Sequence, residues 1–199
     1  SENAKKLTNL FSEAYLQHKN LSDATRYLSN QLFAEYGLVI VDGNHTELKK
    51  EFAPFVKKEL FDKAFQLYRT NNSNGVTAFL ESQSEVKNGF RKLFEMGINE
   101  AISDIDQKGC FVENTTTELI PGEEEILTML QQNKKVYEGI FYAFLLKGQQ
   151  NGEIPKSKNI KNISSLFYTF YSGLKLIAKV ENNPKVLMNN VDEILLLLD

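Results

Sequence analysis

Cys110 is the only cysteine in this chain. A thiol does nucleophilic work when an adjacent base or cation lowers its pKa. The only two histidines, His18 and His45, lie far from it in sequence and are flanked by polar residues. Their spacing matches no common metal site, and one cysteine cannot support a multi-cysteine zinc site or an internal disulfide. The acidic run Glu123–Glu125 follows Pro121, the pattern of a helix start, where carboxylates meet the positive end of the helix dipole. Lys57, Lys58 and Arg69 can touch phosphate but read equally as solvated helix charges. No P-loop, G-x-G-x-x-G or G-x-S-x-G motif occurs. No catalytic residue, metal ligand or cofactor is therefore assigned. Cys110 reads as a small residue that is buried or lines a pocket.

The elements that position such a pocket follow from composition and periodicity. The chain has 199 residues with 42% hydrophobic content, including 14 Phe and 8 Tyr but no Trp, enough apolar material for a real core. No apolar stretch reaches the length of a membrane span, and the start of the sequence lacks the apolar core of a signal peptide. The expectation is a cytoplasmic protein. Net charge is −3. The first sixty residues are neutral, and the acidic excess falls after them. Neither part carries the basic footprint that phosphate binding normally requires.

Helical spacing dominates. Leu7, Leu10, Phe11, Ala14 and Tyr15 predict one helix, and Ala24, Tyr27, Leu28, Leu32 and Phe33 predict a second, closed by Gly37. "LVIVDGN" (38–44) carries the one strand signal. Thr46 can cap a short helix towards Phe52, and Pro54 interrupts it or sits in the first turn of the next. From Lys57 onward the pattern is helical, with a turn predicted at "NNSNG" (71–75) and a break at 82–84. Gly109 interrupts the run before a short helix, and a long helix follows to about Lys147. Two very apolar helices close the chain: one carries Phe167, Phe170, Tyr171 and Leu174, the other Ile194, Leu195 and Leu198. This hairpin either packs on its own core or pairs with a second copy in a four-helix interface.

Phe65, Tyr68, Phe90, Phe94, Tyr137, Phe141 and Phe144 lie on three helices that must face one another. They form either packed core or the walls of a cavity for an apolar or aromatic ligand. Cys110 and Asn114, one turn apart, would add a soft contact and an amide.

Four motifs occur in order: "KKELF" (57–61), "KGCFVENTTTEL" (108–119), "KGQQNGEI" (147–154) and "YSGLKLIAK" (171–179). Together they resemble the ligand-binding and dimerisation domain of TetR-family bacterial transcriptional regulators. The resemblance implies an all-α, TetR-like bundle of about nine helices. Residues 1–56 would stand where a helix-turn-helix DNA-binding domain belongs, as a small domain of uncertain fold, and residues 57–199 would form the ligand-binding and dimerisation domain. It implies a homodimeric repressor released from double-stranded operator DNA by a small apolar or aromatic effector, with no membrane partner. The effector would meet Phe65, Tyr68, Phe90, Phe94, Cys110, Asn114, Tyr137 and Phe141. The dimer would meet through Phe167, Phe170, Tyr171, Leu174, Ile194, Leu195 and Leu198.

The first part departs from that family. "AYLQHKNLSDATRYLSNQLFAEYGLVIVDGNHTELKKEFAPFVKKEL" (14–60) resembles a segment of the bacillithiol-synthesis cysteine-adding enzyme. There, A-T-R-Y-L and Y-G-L-V-I-x-D-G belong to a larger α/β catalytic domain. The fragment carries no complete active site. Besides the regulator, two readings stand: a ligand-sensing or dimerisation module without DNA binding, and a fragment related to thiol-biosynthesis enzymes.

Overall fold

The computed structural model describes residues 53–105, 109–120 and 124–199, with side chains from 61 onward. The expected first helices and the "LVIVDGN" strand lie outside the described residues. So do Pro121 and Glu123 of the expected helix start. Among the described residues, six α-helices and a terminal 3₁₀ turn account for the regular structure: α1 (Ala53–Glu81), α2 (Val86–Ser103), α3 (Phe111–Leu119), α4 (Glu124–Asn151), α5 (Ile160–Ile177), α6 (Pro184–Leu195) and the turn Leu196–Leu198. Among the described residues there is no strand, so the all-α class holds there. The chain divides into two compact units, Ser1–Leu67 and Tyr68–Asp199.

The turn predicted at 71–75 does not form: α1 continues through it to Glu81. The asparagines and Gly75 favour a turn only weakly, and tertiary anchoring overrides the preference. Tyr68, Asn72, Val76 and Leu80 follow at four-residue intervals, and the last two are buried in the core. The small polar residues satisfy themselves locally. Ser73 Oγ donates to the Thr70 carbonyl at 3.1 Å, and Thr77 Oγ1 to the Ser73 carbonyl at 2.8 Å. The break at 82–84 occurs where expected.

The helix ends have identifiable causes. Pro184 opens α6 behind Asn183, whose side chain accepts from the Lys185 N–H at 3.1 Å. Asn159 caps α5 by accepting from the Asn162 N–H at 3.2 Å. The start of α2 is capped from a distance: Glu153 accepts from the Val86 and Lys87 N–H groups, each at 2.7 Å. That clamp requires the chain after α4 to fold back tightly. Gly152 (φ +83°) makes the turn. Gly148 makes room for it, because a Cβ there would stand 2.7 Å from Ile154. Ile154 is buried in the resulting seam.

In the second unit, α4 and α5 pack along each other, and α2 lies against α5, α6 and α4. Phe90 sits at the centre, with ring centroids 4.8 Å from Phe167, 5.3 Å from Phe141, 5.4 Å from Phe144 and 6.0 Å from Phe94. Most of these contacts are edge-to-face, the geometry that ring quadrupoles favour. Leu187, Val191, Leu195 and Leu198 seal one side.

Candidate functional site

Beside this phenylalanine core, one turn along α4 and α5, lies a cavity with tyrosine walls. Tyr68, Arg69 and Asn72 come from α1; Cys110, Val112 and Glu113 from the start of α3; Asn133 and Tyr137 from α4; and Tyr168, Tyr171, Ser172 and Lys175 from α5. It encloses about 290 Å³ including its open mouth. The walls stand so close that the free space is water-sized.

Gly109 makes the junction possible. Its φ of +68° turns the chain into α3, and its N–H donates to Asp104 Oδ2 at 2.6 Å. The turn delivers Cys110 to the cavity. There the Tyr68 hydroxyl donates to Cys110 Sγ at 3.4 Å, and Lys175 Nζ stands 3.9 Å from the same sulfur. Lys175 lies over the Tyr171 ring, 4.2 Å from its centroid, a cation–π contact. Arg69 Nε donates to Asn133 Oδ1 at 3.3 Å. The Tyr137 ring lies 5.7 Å from Tyr168 and 6.2 Å from Tyr171.

Burial pushes the Cys110 thiol up; the Lys175 ammonium opposes that shift without cancelling it. The thiol is therefore protonated at neutral pH, not the thiolate a nucleophile needs. Burial raises the Tyr68 phenol as well, reinforced by Cys110, and Tyr137 is raised chiefly by burial. Burial works against the charge of Lys175, but Tyr171, Cys110 and Glu113 around it hold its pKa above the ordinary value. Lys175 is a cation at any physiological pH.

The structure brings together Tyr68, Cys110 and Tyr137 of the eight residues expected to meet a ligand. Phe90, Phe94 and Phe141 are fully buried in the neighbouring core. Asn114 stands beside the lining and accepts from Lys179 Nζ at 3.0 Å. Phe65 belongs to the first unit, buried and stacked on Phe61 at 5.6 Å. Five of the seven residues expected at a dimer interface, Phe167, Tyr171, Leu174, Leu195 and Leu198, are buried within the chain itself, and Tyr171 lines the cavity. Phe170 and Ile194 are half-buried against the core. The apolar side chains that α5, α6 and their flanking turns leave exposed are their neighbours, among them Leu166, Leu176, Ile177, Val180, Leu196 and Leu197.

Sequence reasoning missed the polar members: Arg69, Asn72, Glu113, Asn133, Ser172 and Lys175. One signal was available. Asn133 falls in register with Ile126, Leu130, Tyr137 and Phe141 and is 3% exposed. An amide on an apolar stripe marks a place where the core must supply polar partners. Among the described residues, no cluster of metal-ligating side chains occurs, and no helix is long and apolar enough to cross a membrane.

Residues 1–138 match the family model for bacillithiol biosynthesis BshC, N-terminal Rossmann-like domain. The chain belongs to the BshC family. It is 36% identical over 140 residues to the "Putative cysteine ligase BshC" of Flavobacterium psychrophilum and 55% identical over 60 residues to that of Flavobacterium johnsoniae. These alignments take in 69% and 30% of this chain but 25% and 11% of those proteins. The chain thus spans about a quarter or less of the BshC relatives it matches. Where the family match overlaps described residues, those residues form helices joined by short turns, without a strand.

The bundle carries a second likeness. The chain is 28% identical over 144 residues to the uncharacterised HTH-type transcriptional regulator YezE of Bacillus subtilis, covering 72% of this chain and 74% of that one. In fold it is similar to a TetR-family transcriptional regulator from Cytophaga hutchinsonii, with a TM-score of 0.67 at 13% identity, covering 99% of this chain and 96% of that one. It is also similar to the TetR-family regulator CifR, whose cysteine mutant was solved with 26-bp operator DNA. There the TM-score is 0.66 at 16% identity, covering 98% and 94% of the two chains. The fold is that of the TetR-family regulators.

Proposed function

We propose that this chain is a TetR-like transcriptional regulator, a homodimer that binds operator DNA and releases it when a small molecule occupies the cavity of Tyr68, Cys110, Tyr137 and Lys175. The observation that carries the proposal is the alignment to an HTH-type regulator across nearly three quarters of both chains. The likeness in fold to regulators, one solved on its operator, supports it. The cavity lies between helices of a bundle, where such ligand sites are built. Its lining of phenols, amides and charges suits a polar effector better than the apolar or aromatic one expected from the aromatic spacing. Ligand would act by favouring one of two dimer geometries and so shifting DNA affinity. The second copy would meet the exposed apolar side chains of α5 and α6.

The test is a binding assay on the DNA upstream of the protein's own gene across a salt series. A regulator touching 6–10 phosphates loses on the order of 10³–10⁵ in affinity between 50 and 200 mM salt. Salt-insensitive or absent binding would leave a sensing module without DNA partner. A monomer on gel filtration at micromolar concentration would contradict the homodimer.

A second reading has its own observation, the BshC family match over residues 1–138. It assigns the chain a part in adding cysteine to a bacillithiol precursor. Cysteine consumption by the purified chain supplied with such a precursor would support it; none would leave the regulator.

A further inference from the structure

We infer that the cavity takes a small bifunctional molecule, one offering an anionic acceptor to Lys175 and a hydrogen-bond donor to Glu113, as a hydroxy acid or an amino acid does. The inference rests on the reading of this cavity as an effector site and names the class of effector.

Two opposite charges line the same small space and act on each other without a direct ion pair. Lys175 reaches the Tyr171 ring and Cys110 Sγ. Among the described residues, no ion pair to it forms. On the other side, Glu113 Oε2 is buried and has no hydrogen-bond partner. A buried charge is costly unless it is paired, and a buried acceptor is costly unless something donates to it. The two groups come from different helices, α5 and α3, so a shared partner would bridge them. A simple anion answers only Lys175, and a simple amine answers only Glu113. A carboxylate with a hydroxyl or ammonium group one or two bonds away answers both.

The remaining walls set size and orientation. Tyr137, Tyr168 and Tyr171 hold the space to about that of a water, so a molecule of glycolate's size enters as these rings move apart, and a bulky aromatic ring needs a larger movement. The Tyr68 hydroxyl already donates to Cys110 Sγ, so it brings no free donor. Arg69 adds a second cation to the lining and favours the acceptor end of the molecule being a carboxylate.

The experiment uses the full chain without DNA. Glycolate and glycine are titrated against acetate, which lacks the donor, and ethanolamine, which lacks the acceptor. Tyrosine fluorescence reports binding, since the chain has no Trp, and thermal shift gives a second readout. Glycolate or glycine is expected to bind saturably and roughly tenfold or more tighter than acetate or ethanolamine. Glu113→Gln should erase the advantage over acetate, bringing the ratio of the two affinities to roughly one. Lys175→Met should abolish binding of both acids. Equal binding of acetate and glycolate overturns the inference. So does the absence of saturable binding by any probe to the folded wild-type chain, a cavity holding water only. The wild-type comparison needs no variant, so a misfolded mutant does not obscure it. Binding with unchanged operator affinity would keep the inference and break the regulator reading. Operator release by an apolar aromatic acid, with no glycolate binding, would do the reverse.

Discussion

Two regions of the second unit are built from the same helices one turn apart and behave as opposites. Phe141 and Phe167 meet Phe90 in a sealed cluster with no exposed atoms. One turn away on the same helices, Tyr137 and Tyr171 face a cavity containing two cations, a carboxylate and a thiol. The rings are nearly equal in size, so the difference lies in one oxygen. A buried phenol needs partners, and the neighbours that supply them, Asn133, Ser172 and Lys175, prevent the region from closing into core. The Phe cluster carries stability; the Tyr cavity carries chemistry at a cost in stability.

The contrast can be broken experimentally, beginning with the phenylalanines. Phe90→Ala should cost about 3–5 kcal/mol in denaturant unfolding, because four rings lose their common partner and the dense core cannot collapse. A loss below about 1 kcal/mol would mean the cluster is not the structural centre. On the cavity side, Lys175→Met takes away the cation that faces the Glu113 carboxylate, and stability should fall, by less than in Phe90→Ala because the Met side chain still fills the space. Unchanged or raised stability would show that Lys175 and Glu113 do not stabilise each other.

Next in size is an alkaline effect from Cys110. Its pKa is raised by burial above the ordinary 9.0. The folded state therefore holds the proton more tightly than the unfolded state. The thiol's contribution to stability is complete below about pH 9 and is lost as pH climbs from there towards the folded value. Thermal unfolding of Cys110→Ala across pH 8–10 should show a shallower decline than wild type. For the same reason iodoacetamide should modify Cys110 at pH 7 more slowly than a free peptide cysteine. The smallest effect belongs to Tyr137→Phe, which removes only the oxygen. It should change stability by about 1 kcal/mol or less while altering the cavity's binding response.

Much of this was legible beforehand. The helices from Lys57 onward, the break at 82–84 and the glycine junction at 109 follow from periodicity and punctuation. The turn at 71–75 was misread because local preference favoured it, while burial of Val76 and Leu80 held the helix together. In the aromatic set, Phe and Tyr were grouped by spacing alone. Spacing says which residues share a face; it does not say which end of that face is sealed. The dimer residues show the same limit. Phe167, Leu195 and Leu198 are apolar enough for an interface, yet the chain's own core claims them.

Local chemistry alone determined the all-helical class of the described residues, the junction at Gly109 and the helix start at Pro184. Helical periodicity and helix capping act over a few neighbouring residues, so the sequence is enough to read them. Only the tertiary structure decided that Tyr68, Cys110, Glu113, Tyr137 and Lys175 share one cavity. They come from four helices, up to 107 positions apart in the numbering, and their meeting depends on how those helices pack. Packing also gave the lone cysteine its neighbours, a phenol and an ammonium, which no spacing in the sequence foretold.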